Sequence, residues 1–443
     1  MTVAVVGGGF AGVEAAVRIA RAGFDVDLWE MRPTVRSPAH VGGDLAEIVC
    51  SNSFGGDSLT SAAGVLKAEM RALSSVVLEV ADACRVPAGS ALAVDRERFA
   101  RLVTERVEAE PRVRLVRAEA VEPPAAVAVL ATGPLPGEAL ARWLESRVGS
   151  FLSFYDAASP IVVRETVDAG HAYAASRYGR GDPDDYLNCP LDEGEYDRFW
   201  QALITAERTV LRGFEEGAYF EGCLPVEVIA QRGRDTLRFG PMRPVGLRDP
   251  RSGRLPYAVV QLRRDNAAGD LMNLVGFQTG LRWRAQKEVL RLVPALARAE
   301  FARYGVMHKN AFVCAPKVLA IDTSLGSDAG VYLTGQMAGV EGYMESAALG
   351  QYTGIQVVRA LRSLPPLPPP RTTLLGALVH YLVSAGADDF QPMNANFGLL
   401  PPAPAAAASR PERKAAQAAR AVEAIARYRA AVDGDVERLV LEF

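Results

Sequence analysis

Residues 3–12 read Val3-Ala4-Val5-Val6-Gly7-Gly8-Gly9-Phe10-Ala11-Gly12. The first four are apolar and mostly β-branched, the composition of a buried strand in a parallel sheet. Gly7, Gly9 and Gly12 then fall at the G-x-G-x-x-G spacing. Beyond them Ala15, Ala16, Ile19 and Ala20 recur at helical spacing, and Gly23 stands where a helix should stop. A second strand is predicted from Phe24 to Trp29, and Glu30 follows it.

Each glycine has a mechanical task. Gly7 permits the tight turn, Gly9 lets backbone approach a pyrophosphate, and Gly12 lets the helix lie close on the sheet. The helix N-terminus adds amide donors and partial positive charge. Glu30 lies 18 residues past Gly12, near the ~20 expected for a carboxylate that accepts from ribose hydroxyls. A glutamate there disfavours a 2′-phosphate, so the dinucleotide is FAD or NAD rather than NADP. Gly7, Gly8, Gly9, Phe10, Ala11, Gly12 and Glu30 are the candidate contacts.

The bulk numbers set bounds. A chain of 443 residues, 49% of them hydrophobic, exceeds one core and implies two domains or three. Val3 already opens the first strand, which leaves no signal-peptide pattern. No apolar run approaches the ~18–20 residues of a membrane span. Cys50, Cys84, Cys189, Cys223 and Cys314 form neither C-x-x-C pairs nor a dense framework, which points to a reducing cytoplasm. Four scattered histidines give no metal-binding pattern. Net charge is −3, so a nucleic-acid partner would need a local basic patch, and all but five of the 49 basic residues are arginine.

Further along, residues 31–56 are rich in Gly, Pro, Ser and Asn and read as an ordered loop region holding Cys50-Ser51-Asn52-Ser53. Helices are predicted over 66–78 and 96–107. A short buried strand at 127–130 runs into Ala131-Thr132-Gly133, a pattern habitual in flavoproteins that bind two dinucleotides, although glycine at a strand end is as readily structural. From about 160 to 303 aromatic and charged residues mix, with strands expected at 161–164, 257–262 and 271–276 and a helix at 195–205. This reads as an inserted α+β domain. Val331 to Gln336 is another strand entering a glycine-rich turn, continued by Gly339-Val340-Glu341-Gly342 into a helix. That unit resembles the late FAD element of glutathione-reductase-like flavoproteins, and Gly133, Gly335, Gln336, Glu341 and Gly342 join the candidate contacts. The fold class expected is therefore α/β: a FAD-binding Rossmann domain, discontinuous in sequence (1–165 and 306–443), with a smaller inserted α+β domain (166–305) on the substrate side. Proline-rich spacers at 364–370 and 401–408 precede a basic helix at 411–432. No second complete G-x-G-x-x-G is present, so a separate nicotinamide domain is not visible.

Two cysteines stand out by context. Cys50 precedes Ser-Asn-Ser, residues that favour helix caps, and a thiol at a helix N-terminus has a lowered pKa. Cys223 sits between Gly222 and Leu224-Pro225, on a constrained loop. The plain alternative for each is a small buried hydrophobe. Between Gln231 and Arg264 nine arginines, Arg232, Arg234 and Arg238 among them, stand against two aspartates. Such a run is either a solvated face or a grip on a polyphosphate chain. Trp283, flanked by Arg282 and Arg284, is either core or a stacking platform for a planar ligand.

Several strings together are unusual: Glu30-Met31-Arg32-Pro33, the Cys-Ser-Asn-Ser run, Glu221-Gly222-Cys223, Phe239-Gly240-Pro241-Met242, Gly335-Gln336-Met337 with Gly339 to Tyr343, and Pro392 to Phe397. Over nearly its whole length the chain resembles the folate- and FAD-dependent tRNA (uracil-5-)-methyltransferases. It is less similar to the wobble-uridine-modifying flavoprotein GidA. The resemblance implies methylation of C5 of the T-loop uridine (position 54) in tRNA. Carbon would come from 5,10-methylenetetrahydrofolate, and electrons from NADH or NADPH through FAD. Uracil C5 is a poor nucleophile until a thiolate adds at C6, so the reaction needs a cysteine and then a base for the C5 proton. On this reading Cys223 is the nucleophile and Cys50 its proton acceptor or second thiol, with the reverse assignment open. Trp283 and Arg282 would lie near the folate, and Arg232, Arg234 and Arg238 would hold tRNA. GidA-like wobble modification and a flavin oxidoreductase of a small metabolite are the competing activities.

Overall fold

Thr2–Val6 pairs in parallel with Asp25–Trp29 on one side and Ala128–Leu130 on the other. The full six-stranded sheet runs 324–325, 328–333, 128–130, 2–6, 25–29, 113–116, all parallel except the Ser324–Leu325 edge. Chain order reverses beside the first strand, and in open α/β sheets the crevice at such a switch point is where ligands sit. In this computed structural model the described residues are 1–37, 39–179, 181–209, 224–403 and 409–434. The fold class is α/β with a dinucleotide-binding parallel sheet.

The Phe10–Arg21 and Tyr343–Leu361 helices cross on one face of that sheet. Glycine makes the crossing close: a Cβ on Gly350 would stand 2.1 Å from the Ala11 carbonyl oxygen. The last third of the chain is thereby built into the core of the first. On its buried side the Arg410–Asp433 helix adds Ala421, Ile425 and Tyr428 to the same core, where the Tyr428 hydroxyl donates to the Leu367 carbonyl at 3.0 Å.

A second six-stranded sheet is antiparallel, in the order 173–174, 186–191, 258–264, 271–274, 161–163, 301–303. Its strands alternate by face, as the two-residue period requires. Cys189, Val260, Leu262 and Leu274 pack with Tyr196, Phe199, Leu203 and Val289 into a separate apolar core. On the opposite face Asn188, Gln261, Arg263 and Asn273 are polar yet buried. An antiparallel ribbon, Leu152–Ala157 against Met307–Phe312, carries the chain out to this sheet and back.

The helix expected over 66–78 is two helices, Ala62–Ala72 and Val76–Ala83. Ser74 takes a left-handed φ of 63° between them, and the Ser75 hydroxyl caps the second by accepting from the Leu78 amide at 3.1 Å.

Candidate functional site

A cavity of about 510 Å³ opens at the carboxyl ends of three parallel strands. Gly7, Gly8, Gly9, Phe10 and Ala11 line it after the first strand, Thr132 and Gly133 after Ala128–Leu130, and Gly335, Gln336, Glu341 and Gly342 after Asp328–Leu333. Gly12 is not in the wall; a Cβ there would fall 1.8 Å from the Gly7 carbonyl oxygen, so its task is packing. A Cβ on Gly9 would meet nothing within 4 Å, which leaves open space where a ligand would approach the backbone.

Two of the helices that reach the cavity begin at a glycine from the phosphate-side and ring-side turns, without a side-chain cap. Gly9 precedes Phe10–Arg21, and Gly342, at φ 115°, precedes Tyr343–Leu361. Their first amides are donors without intrahelical partners, aimed at one space. Two such ends suit the phosphates and an electron-rich ring of one dinucleotide.

Glu30 is buried in the wall, but its carboxylate is already engaged. Oε2 accepts from the Gly8 amide at 3.0 Å and from Arg32 Nη2 at 3.1 Å. Oε1 accepts from the Arg32 amide and from its Nε, each at 2.9 Å. Burial alone would raise this carboxyl; the Arg32 contacts and the Gly8 amide outweigh it and hold the group below the usual carboxylate range. With about four acceptor sites on a carboxylate, a ribose hydroxyl must share an oxygen with Arg32 or displace it. Arg32 is itself tied to Glu47 at 2.8 Å.

Cys50 faces the same cavity. Its Sγ stands 3.0 Å from the Tyr343 hydroxyl oxygen, which also accepts from the Val49 and Cys50 amides at 2.9 and 3.0 Å. Arg96 donates to the Ile48 and Cys50 carbonyls at 2.5 and 2.7 Å and forms a two-pronged pair with Asp265, the residue that follows the 258–264 strand, at 2.9 and 3.0 Å. The thiol expected at a helix N-terminus is not at one: a strand, Ser53–Gly56, follows it. Asn52 turns inward to donate to the Val94 and Arg264 carbonyls at 2.8 and 3.0 Å, and accepts from Arg263 at 2.8 Å. Burial, with nearby Asp156 adding, pushes the Cys50 thiol up to about 11 rather than down. It is held protonated at neutral pH.

The largely apolar wall also carries polar and acidic groups. Asp156, Gln278, Asn310, Glu345 and Asn394 contribute from the ribbon, the second sheet's margin and the C-terminal third. Glu341 accepts from Gln336 at 2.6 Å, and burial followed by Asp156 drives its carboxyl well above the ordinary value. The Pro392–Phe397 string now has a structural reason: Met393 exchanges backbone hydrogen bonds with Gly339 and Glu341 at 3.1 and 2.9 Å, and the Ala395 amide donates to Glu345 at 3.0 Å.

Other expected site residues fall elsewhere. Trp283 and Arg282 are outside the cavity wall, and Trp283 is 62% exposed. Arg234 is held by Asp197 at 2.6 Å and Glu193 at 3.1 Å. Arg238 lies 3.6 Å over the Tyr257 ring and bonds Asp235 at 3.0 Å, and Arg232 is the C-terminal cap of Val226–Gln231. Of the nine arginines of the run, Arg263 is buried, whereas Arg232, Arg243, Arg248, Arg251 and Arg254 are exposed. Cys223 lies outside the described residues; downstream of it the Val226 amide donates to the carbonyl of Gln278, a wall residue, at 2.7 Å. No helix among the described residues is long and apolar enough to cross a membrane.

A split parallel sheet, a glycine turn at its switch point and a second sheet joined by a ribbon define a Rossmann-type flavoprotein fold. The family model described as glucose inhibited division protein A matches residues 2–365. Methylenetetrahydrofolate--tRNA-(uracil-5-)-methyltransferase TrmFO of Moorella thermoacetica is 54% identical over 95% of this chain and 97% of its own. Its counterpart in Heliobacterium modesticaldum is 52% identical over 97% and 98%. The solved structure of Aquifex aeolicus GidA superposes with a TM-score of 0.70 at 15% identity, covering 98% of this chain and 76% of that one, a likeness of fold. The chain belongs to the TrmFO family, within the broader group that the division-protein model describes.

Proposed function

We propose that this protein methylates C5 of the T-loop uridine (position 54) of tRNA, taking carbon from 5,10-methylenetetrahydrofolate and electrons from NADH or NADPH through FAD. One observation carries the reading. A thiol stands in the wall of the dinucleotide cavity of a chain that is more than half identical, end to end, to enzymes so named.

FAD, when bound, supplies the reducing electrons. Gly7 to Ala11 would hold its pyrophosphate, Glu30 with Arg32 its ribose side, and Gly133, Gly335, Gln336 and Gly342 its ring side. We take 1–165 and 306–443 as the unit that holds the dinucleotide, and 166–305 as the substrate side.

Cys223 is the assigned nucleophile. Its thiolate adds to uracil C6, the electron pair moves to make C5 carbanion-like, and C5 then forms the bond to the methylene carbon. A base removes the C5 proton as the transferred carbon's bond to the folate nitrogen breaks, leaving a methylene on C5. The hydride equivalent that reduced FAD would supply converts it to methyl, and expulsion of the thiolate restores the ring. Cys50 is the residue assigned to proton transfer at C5. As a thiol at neutral pH it enters as a proton donor, and it accepts only after losing its own proton. The base must leave its stack to reach this wall.

The test is direct. Purified flavin-loaded protein is incubated with unmodified tRNA transcript, methylenetetrahydrofolate and NADH or NADPH, and nucleosides are read by mass spectrometry. Position-54 5-methyluridine supports the reading. A wobble-position product would favour GidA-like chemistry, and flavin turnover without RNA product a small-metabolite oxidoreductase. Product retained by Cys223→Ala would remove only the nucleophile assignment.

A further inference from the structure

Near the cavity, three aromatic side chains of the second sheet's margin form a column. Phe301 and Tyr304 have ring centroids 5.3 Å apart at 12°, and Tyr304 and Trp283 5.7 Å apart at 14°. Both spacings are those of offset stacks. The inner end, Phe301, packs against the second core. Trp283, the outer end, is 62% exposed, although burying a tryptophan's large ring is among the strongest drives in folding.

The column is braced. Trp283 opens the Trp283–Leu290 helix, and Gln286, one turn on and fully buried, clamps that helix to the strand end that carries Tyr304. Its Nε2 donates to the Leu281 and Gly305 carbonyls at 2.7 and 2.9 Å, and its Oε1 accepts from the Gly305 amide at 2.8 Å. Around the column the field is positive. Residues 282–304 hold six basic side chains (Arg282, Arg284, Lys287, Arg291, Arg298 and Arg303) against Glu288 and Glu300. From outside the segment Glu207 pairs with Arg282 at 2.6 Å and Asp168 lies 3.9 Å from Arg298, which leaves basic groups in excess in a chain whose total is −3. Arg284 is exposed and its pair is a solvent-facing one with Glu288, of the kind that yields readily to a phosphate. The segment also leads to the site: Gln278, five residues before Trp283, lines the cavity.

We propose that the outer face of Trp283 is a stacking platform for an unpaired base of the tRNA, adjoining the nucleotide whose uracil enters the cavity. The assignment rests on the tRNA reading above. A flat, open, rigid ring in a basic surround fits a nucleobase, since every base offers a π-face and stacking does not require a particular sequence. The arginines supply the phosphate contacts and the column supplies the order.

The experiment measures tRNA binding and methylation by wild type, Trp283→Ala, Trp283→Phe and Arg284→Ala, with flavin content checked in each. Trp283→Ala is expected to raise Kd and KM for tRNA about tenfold while kcat at saturating tRNA stays within about twofold, and Trp283→Phe to recover most of the loss. The slope of log Kd against log salt should be unchanged in Trp283→Ala and shallower by just under one in Arg284→Ala. Tryptophan fluorescence should be quenched by tRNA in wild type and lose that response in Trp283→Phe. If wild type methylates tRNA and Trp283→Ala binds it equally well, the platform is overturned alone. If wild type neither binds nor methylates tRNA, both readings fall. Self-association that disappears with Trp283→Ala would instead give this face to a second copy and overturn the proposal.

Discussion

The Tyr343 hydroxyl lies 3.0 Å from the Cys50 sulfur, across 293 residues of sequence. The same oxygen accepts two backbone amides from the Cys50 loop. Tyr343→Phe therefore orphans two buried donors and frees the thiol, where each lost partner costs about 1–3 kcal/mol. Methylation is expected to fall by one to two orders of magnitude while flavin stays bound. Alkylation of Cys50, mapped by mass spectrometry, should rise with pH toward an apparent value of about 11 in wild type, because the thiolate is the reacting form. A wild-type midpoint near 8 would contradict the buried-thiol assignment.

Gly9 and Gly12 should separate binding from folding. A methyl at Gly9 enters empty space, so Gly9→Ala is expected to fold and to lose flavin affinity at least tenfold. A methyl at Gly12 meets the Gly7 backbone at 1.8 Å, and backbone cannot move aside. Gly12→Ala should be poorly soluble or melt well below wild type. Equal flavin content in the two variants would refute the division of labour.

Arg96 and Asp265 join the cavity loop to the second sheet as a buried pair. Removing one partner strands the other, at a cost of about 3–5 kcal/mol. Urea midpoints should drop sharply for Arg96→Met and recover substantially in Arg96→Met/Asp265→Asn. A double variant as unstable as the single one would place the effect in the Ile48 and Cys50 carbonyl contacts instead.

Glu69 is buried and accepts from the Leu374 and Leu375 amides at 2.7 and 2.9 Å, at the start of Leu374–Ser384. Burial pushes its carboxyl up to about 8 despite those bonds. A folded value above the ordinary 4.5 means the unfolded chain gives up the proton first. Stability is then complete below about 4.5 and declines as pH rises to about 8. Glu69→Gln lacks this decline, so its melting temperature relative to wild type should improve between pH 5 and 8.5. A constant difference across that range would show that Glu69 is ionised throughout in the fold.

Much of this architecture is legible in the chain because the evidence is local. Strand, glycine turn, helix and acid follow one another within thirty residues, and each has a backbone reason. The wall contributed by Asp156, Gln278, Asn310 and Tyr343 is not legible that way, since it is assembled from segments up to 190 residues apart. Tyr343 belongs to the quoted Gly339 to Tyr343 string, yet nothing in its own neighbourhood announces a partner at Cys50. The role of the arginine run is hard to read from the chain for a related reason. Counting charge ignores that Arg234 meets carboxylates and Arg263 is inside the protein. The Ser and Asn beside Cys50 suggest a helix cap, whereas Asn52 bonds inward to the second sheet.

The crossing of the Phe10–Arg21 and Tyr343–Leu361 helices also orders events on the ribosome. The turn that would grip a pyrophosphate emerges first, and the helix that completes its pocket is translated about 330 residues later. Until then the nascent chain has half a cradle, and its first helix exposes the stripe meant for Gly350 and Gly354. A chain truncated within the second sheet lacks that closing helix, and is expected to hold no coenzyme.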